Sequence, residues 1–263
     1  MMFRTLKTLA VAAFTLAAAT VGASAAELPD LKGRTIAFAT AADYNPYAFI
    51  DTATNQPIGY DIDVVNEAAK RLNATVEWKI VAWDIMLQAI RDKQFDAGAD
   101  GITITEERKG VVDFSDAYFA ASTRMLIRAD ETRFSDSKSF AADEKLTVVA
   151  LPGTSQYYVA VGTFFGGTEG SPRLKQFDTF ENSLLALNAG DVDLLLTDGY
   201  SADKFVAASG GKLKALDEVL GAEEFGFVFP KGSDLVAPFN AAIAAMKADG
   251  SFEKLNEKWL THK

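Results

Sequence analysis

Apolar and polar residues alternate along Arg34–Thr40, which predicts a strand. They then recur with a helical period from about Ile62 to Leu72, where Val64, Val65, Ala68, Ala69 and Leu72 form one stripe. Between the two, Ala41 to Pro57 reads as a loop carrying Tyr44, Tyr47 and Phe49 around Pro46. Thr75–Val81 predicts a second strand and Trp83–Arg91 a helix with Ile85, Met86, Ala89 and Ile90 inward. A short apolar strand after Phe95 ends at Asp100-Gly101. After Phe119 the pattern restarts. Arg124–Arg128 is extended, Glu131–Glu144 is loop or a short helix, and Lys145–Leu151 is a strand. A helix follows from about Gln156 to Phe165, then a strand at Leu174–Phe177, a helix at Glu181–Ala189, a strongly apolar strand at Val192–Thr197 and a helix at Tyr200–Ala208. Leu213–Leu216 and Glu224–Phe229 read as two separate strands, and helices at about Leu235–Ala248 and Phe252–Leu260 are parted by Gly250. Such alternation predicts an α/β fold with mostly parallel sheets.

The two halves echo each other. Ala89-Ile90, Phe95-Asp96 and Gly101 line up with Ala186-Leu187, Val192-Asp193 and Asp198 at a constant offset of 97. Both stretches read as helix, tight turn and strand. They predict two similar units whose strand ends could face each other across a cleft.

Chemistry gathers at those strand ends, where open α/β sheets bind small ligands. Thr103 and Thr105 follow Gly101, and Thr105-Glu106-Glu107 opens a helical turn with a good N-cap and acids at the positive end of the dipole. Arg108 comes next; its guanidinium fits a carboxylate in two parallel bonds, or pairs on the surface with Glu107 or Asp113. Asp198 is either an N-cap or a carboxylate open to an ammonium, and Thr154-Ser155 is either a cap or a helix start that holds an anion. An arginine and a helix start for a carboxylate, with an aspartate for an ammonium, would describe an amino-acid zwitterion. Tyr44 and Trp83 end the loops that would flank the cleft.

Composition narrows the chemistry. The 263 residues are 49% hydrophobic and 24% charged, enough for one large or two small domains with a sizeable core. Absence of cysteine removes disulfides, thiolate metal sites and cysteine nucleophiles, and the single histidine, His262, excludes a Ser-His-Asp triad. No cofactor and no metal are expected. Residues 1–26 read as a secretory signal peptide: Arg4 and Lys7, an apolar run from Thr8 to Val21, and small residues at Ala23-Ser24-Ala25-Ala26. Its removal takes the net charge from −10 to −12, a surface that repels nucleic acid and anionic lipid. The remaining chain is expected to be soluble and periplasmic.

These residues carry a resemblance to the family 3 solute-binding proteins, the periplasmic receptors for polar amino acids that feed ABC transporters. Tyr44-Asn45-Pro46-Tyr47-Ala48-Phe49 resembles the family's aromatic–Pro–aromatic loop, and Gly59-Tyr60-Asp61-Ile62-Asp63-Val64 its helix start. Trp83 matches the aromatic before its next helix. The run from Phe95-Asp96 through Ile102-Thr103-Ile104-Thr105-Glu106-Glu107-Arg108 to Asp113-Phe114-Ser115-Asp116 is similar to its longest signature. Gly153-Thr154, Asp191-Val192-Asp193 with Asp198, and Ala248-Asp249-Gly250-Ser251 also fit.

The resemblance implies a two-lobed type II periplasmic binding protein fold with two crossover strands as hinge. Lobe 1 would comprise residues 27–119 and 224–263, and lobe 2 residues 120–223. It implies a monomer, an amino-acid ligand and a membrane permease as partners, and no catalysis. Carried over position by position, Arg108 would bind the ligand's α-carboxylate with the Thr103 hydroxyl and the Thr154 N–H. Asp198 and the Gly101 carbonyl would take the α-ammonium, Tyr44 and Trp83 would sandwich the side chain, and Ser155 and Gln156 would line the far wall. Ala41 stands where receptors for basic or amide side chains carry an acid, and Leu151 where some members put a lysine, which favours an uncharged side chain; Asp43 could still supply a charge. The alternative is an enzyme on the same fold, resembling cyclohexadienyl or arogenate dehydratases, with Glu181 or Glu169 as the general acid.

Overall fold

The computed structural model describes residues 27–260, so the signal peptide expected at 1–26 lies outside the described residues. The first half runs β1 (Thr35–Thr40), β2 (Asp43–Tyr44), β3 (Ala48–Asp51), β4 (Gln56–Ile58), α1 (Tyr60–Arg71), β5 (Thr75–Ile80), α2 (Trp83–Arg91), β6 (Ala97–Gly98), α3 (Glu106–Lys109) and β7 (Asp113–Phe114). Next come β8 (Phe119–Arg128), α4 (Ser137–Ala142), β9 (Val148–Val149), α5 (Ser155–Phe165), β10 (Leu174–Lys175), α6 (Phe180–Ala189), β11 (Leu194–Asp198) and α7 (Gly199–Ala208). The chain closes with β12 (Leu213–Phe225), β13 (Val228–Phe229), α8 (Val236–Ala248) and α9 (Ser251–Trp259).

Two five-stranded sheets result, in the orders β5-β1-β6-β13-β7 and β10-β9-β11-β8-β12. In each, the three strands joined through helices are parallel and the remaining pairings are antiparallel. The sheets are therefore mixed rather than mostly parallel. The cause is the path of the chain: it leaves the first sheet along β8 and returns along β12, and strands that run out and back must pair antiparallel. Leu213–Leu216 and Glu224–Phe229 are not two separate strands, because β12 continues through the charged stretch Asp217-Glu218 by means of register shifts after Ala215 and Val219. The stretch from Ala41 to Pro57 is not all loop. β2, β3 and β4 form a small antiparallel sheet, its strands only two to four residues long and too short to show a period in the sequence.

The repeat at offset 97 is one device used twice. Asp96 Oδ2 accepts the Ala37 N–H at 2.9 Å, and Asp193 Oδ2 accepts the Thr147 N–H at 2.8 Å. Each carboxylate follows a helix and ties its turn to the start of the neighbouring strand, which sets the height at which the next strand ends. The first lobe packs around aromatics, with Phe38, Tyr47, Tyr60, Phe225, Phe227, Phe229 and Phe239 all fully buried. At ~1.5–3 kcal/mol for each buried side chain, this cluster is the main support of that lobe. Among the described residues no helix is long and apolar enough to cross a membrane.

Candidate ligand site

A cavity lies between the two lobes, at the ends of β6 and β9. Tyr44, Trp83, Gly101, Thr103, Arg108, Thr154 and Ser155 all stand on its wall, seven of the eight residues the sequence singled out. The eighth, Asp198, lies behind Tyr44. The space between atoms there, including what opens to solvent, amounts to about 470 Å³.

Arg108 is placed by a four-residue helix. Thr105 caps it as expected, its Oγ1 accepting the Arg108 N–H at 3.2 Å. That turn swings the guanidinium inward, where it is 8% exposed. Nη1 donates to the Thr103 carbonyl at 2.7 Å and Nη2 to the Gly153 carbonyl at 2.8 Å, the second bond reaching the other lobe. The group lies 5.4 Å from the centroid of the Trp83 ring, a cation–π distance. It is not the surface partner of Asp113, which binds Lys231 instead. Burial lowers its pKa, with the Glu223 charge opposing, but a guanidinium stays charged in any protein. Two of its five donors are engaged by the backbone, so a bidentate face is still available to a carboxylate.

Of its two anticipated roles, Asp198 fills that of the cap. It caps α7, Oδ1 accepting the Tyr200 and Ser201 N–H groups at 2.9 and 3.1 Å. Tyr47 donates to the same oxygen at 2.7 Å, and Tyr44 donates to Oδ2 at 2.6 Å. Burial, then the Asp198 charge, raises the pKa of both phenols far above the ordinary range, so they remain donors. Oδ2 therefore has one partner where Oδ1 has three, and its spare lone pair lies beside Tyr44, the residue that faces the cavity.

Gly101 has φ +60°, and a Cβ there would meet the Tyr44 ring at 3.1 Å; only glycine supplies that turn without strain. Its N–H donates to Asp61 Oδ2 at 2.6 Å. Trp83 begins α2 and donates its indole N–H to the Pro152 carbonyl at 3.2 Å. Thr154 caps α5, its hydroxyl accepting the Tyr157 N–H at 3.1 Å. The lobes also touch where Ser201 donates to the Asn45 carbonyl at 2.8 Å and where the Phe180 N–H donates to Asp43 Oδ2 at 3.1 Å.

Two carboxyl groups, Asp100 and Glu223, went unassigned in the sequence. Asp100 lines the cavity together with Asp43, and the Thr40 hydroxyl donates to it at 2.9 Å. Burial first, then the nearby Asp43, raises its pKa well above the carboxylate range, and burial raises that of Asp43. Two acids on one wall bear against the neutral side-chain pocket inferred from Ala41; Asp100 was hidden because the end of an apolar strand gives no sign of which way its side chain turns. The second is Glu223 of β12, 4% exposed, which accepts hydrogen bonds from Thr103, Thr123, Ser155 and Gln156. Its register is the available signal: it alternates with Phe225, a core residue, so it too points inward. Glu169 and Glu181, by contrast, are exposed and absent from the cavity wall. Among the described residues no cluster of His, Asp or Glu could hold a metal ion.

A mixed-sheet, two-lobed molecule joined by two antiparallel strands, with a closed cleft lined by arginine, aromatics and carboxylates, is built as a solute receptor of the type II periplasmic binding class. The chain belongs to the bacterial extracellular solute-binding proteins, family 3, whose model matches residues 36–262. It is 30% identical to the L-cystine-binding protein TcyA of Bacillus subtilis (strain 168) over 222 residues, 84% of this chain and 79% of that protein. It is 28% identical to the ABC transporter arginine-binding protein 1 of Escherichia coli (strain K12) over 262 residues, 97% and 99% of the two chains. Among solved structures it resembles the ancestral amino-acid-binding protein AncCDT-1, a precursor of cyclohexadienyl dehydratase, with a TM-score of 0.79 and 29% identity over 86% of this chain and 96% of that one.

Proposed function

We propose that this chain is the periplasmic substrate-binding component of an amino-acid ABC transporter, secreted through the 1–26 leader. It closes residues 27–119 and 224–263 against 120–223 around one L-amino acid and delivers the closed form to a membrane permease. The observation that carries this reading is the shared cavity: Arg108 and Gly101 come from one side and the start of α5 from the other, with Asp198 held directly behind Tyr44. In it the α-carboxylate lies on Arg108 and the N–H groups opening α5, and the α-ammonium lies between the Gly101 carbonyl and Asp198 Oδ2. A buried charge needs such a partner, since leaving it unpaired costs several kcal/mol. Asp43 and Asp100 favour a cationic side chain over an uncharged one. Two relatives and structural neighbours named for arginine or cystine binding accord with an amino acid but do not choose between them. Closure is a population shift driven by contacts available only when both walls meet.

Calorimetry across the standard L-amino acids tests this. Saturable 1:1 binding of at least one of them, lost in Arg108→Ala and Asp198→Ala proteins that keep the wild-type circular dichroism, is expected. Wild-type affinity in either variant would contradict the zwitterion arrangement. A second reading, a dehydratase, is favoured by the likeness to AncCDT-1 and by Asp100, a buried carboxyl on the cavity wall whose pKa burial raises. Turnover of arogenate or prephenate, followed by product absorbance, would establish it.

A further inference from the structure

Glu223 sits on the hinge strand β12, beneath the cavity floor, and every group that touches its carboxylate is a donor. Thr103 Oγ1 lies 2.8 Å and Ser155 Oγ 2.7 Å from Oε2, Thr123 Oγ1 lies 2.6 Å from Oε1, and Gln156 Nε2 lies 3.1 Å from both oxygens. Among the described residues it forms no salt bridge. Thr103 belongs to the segment after β6, Ser155 and Gln156 to the first turn of α5, so one carboxylate gathers donors from both lobes. Three of those four donors, Thr103, Ser155 and Gln156, are themselves on the cavity wall.

A hydroxyl has one proton, and an ionised carboxylate can only accept. With both hydroxyls at charge-assisted distances from Glu223, their protons point down toward it and away from the cavity. Other acceptors are in reach, 3.0 Å between the two hydroxyl oxygens and 3.2 Å from Ser155 Oγ to Gln156 Oε1, but the shorter charge-assisted bonds to Glu223 take the protons. The Gln156 amide is oriented likewise: its NH₂ faces Glu223, and Oε1 lies beside Ser155 Oγ as an acceptor. The wall thus offers oxygen lone pairs, not O–H groups, to whatever enters.

We propose that Glu223 is a positioning residue that fixes the hydrogen-bond polarity of this wall, so that Thr103, Ser155 and Gln156 meet the ligand as acceptors and select an N–H donor of cationic type. This rests on the amino-acid reading above and revises one part of it. The Thr103 hydroxyl, given to Glu223, does not help Arg108 with the ligand's carboxylate. The carboxylate is left to the guanidinium and the backbone N–H groups of α5.

Two measurements test it. In a neutron crystal structure of the deuterated protein, deuterons should lie on Thr103 Oγ1 and Ser155 Oγ along the lines to Glu223. A deuteron on Glu223, or hydroxyl deuterons aimed into the cavity, would overturn the proposal whether or not any amino acid binds. In calorimetry with L-lysine, L-arginine and L-norleucine, the last a lysine isostere without the terminal donor, the wild type should prefer the cationic pair. Glu223→Gln has one acceptor oxygen in place of two and turns at least one proton into the cavity. It should shrink that preference by about tenfold or more, the scale of a lost hydrogen bond to a charged group, and Glu223→Asp should restore part of it. An unchanged preference ratio in folded Glu223→Gln contradicts the assignment. A wild type that binds no amino acid at all sinks the transport reading instead, and the deuteron positions then decide this one.

Discussion

Asp61→Asn should make the protein more stable at neutral pH. The carboxyl is fully buried beside the first cavity wall; Oδ2 accepts the Gly101 N–H, while Oδ1 has no hydrogen-bond partner. The Tyr118 hydroxyl makes no hydrogen bond of full geometry but lies close enough to interact with the Asp61 carboxylate. Burial pushes the carboxyl pKa up from 3.8 to about 6, with the Gly101 bond opposing. Between those two values the folded protein holds a proton that the unfolded chain has already lost, so this group's contribution to stability falls as pH rises through the window. Above pH 6 the loss is complete. At about 1.36 kcal/mol per pKa unit, the difference between 6 and 3.8 corresponds to about 3 kcal/mol. Asparagine keeps an oxygen for Gly101, carries no charge, and brings an N–H to the place where Oδ1 lacks a partner. Thermal unfolding of both proteins at pH 4 and pH 7.5 reads the effect. For a chain of this length about 3 kcal/mol is roughly 6–12 °C in Tm, expected at pH 7.5 and nearly absent at pH 4. An asparagine protein less stable than wild type by the same amount at both pH values would refute the reasoning: it would mean that the charged hydrogen bond to Gly101 outweighs the cost of burial.

Other outcomes follow from the same geometry. Gly101→Ala should abolish ligand binding while leaving a folded protein, because a Cβ at φ +60° meets the Tyr44 ring at 3.1 Å; calorimetry and circular dichroism together check this. Thr105→Ala removes the cap that orients the Arg108 turn and should cost about 1 kcal/mol of stability by urea titration, with weaker binding as well. Because burial raises the pKa of both Asp43 and Asp100, affinity for a cationic amino acid should fall as pH is lowered from 7.5. The fall should exceed that for an uncharged one, and binding should release protons, detectable by calorimetry in buffers of different ionisation enthalpy.

The fold was legible where the sequence has long periods. α1, α2 and the strands flanking them stand within a residue or two of their predicted positions, because each buries a stripe or alternates across a sheet, although Ile85 of α2, read as inward, is exposed. What could not be read was set by partners distant in the chain. β2 to β4 are too short for a period, and the continuity of β12 across Asp217-Glu218 comes from its pairing with β8. The site divides the same way. Arg108, Thr105 and Asp198 occupy local positions, a cap or a strand end, that restrict which way they can point. Asp100 and Glu223 turn inward for reasons that lie in tertiary packing, and the polar neighbour Glu224 masks Glu223 in a linear reading.

The account stands on a guanidinium and a carboxylate from opposite lobes gripping one dipolar ligand, and a crystal structure with the tightest-binding amino acid tests that most directly. It should show the ligand carboxylate ~2.7–2.9 Å from the Arg108 guanidinium, the α-ammonium between the Gly101 carbonyl and Asp198, and the side chain directed to Asp43 and Asp100. A ligand bound outside the cleft, or inside it with its carboxylate turned away from Arg108, would contradict it.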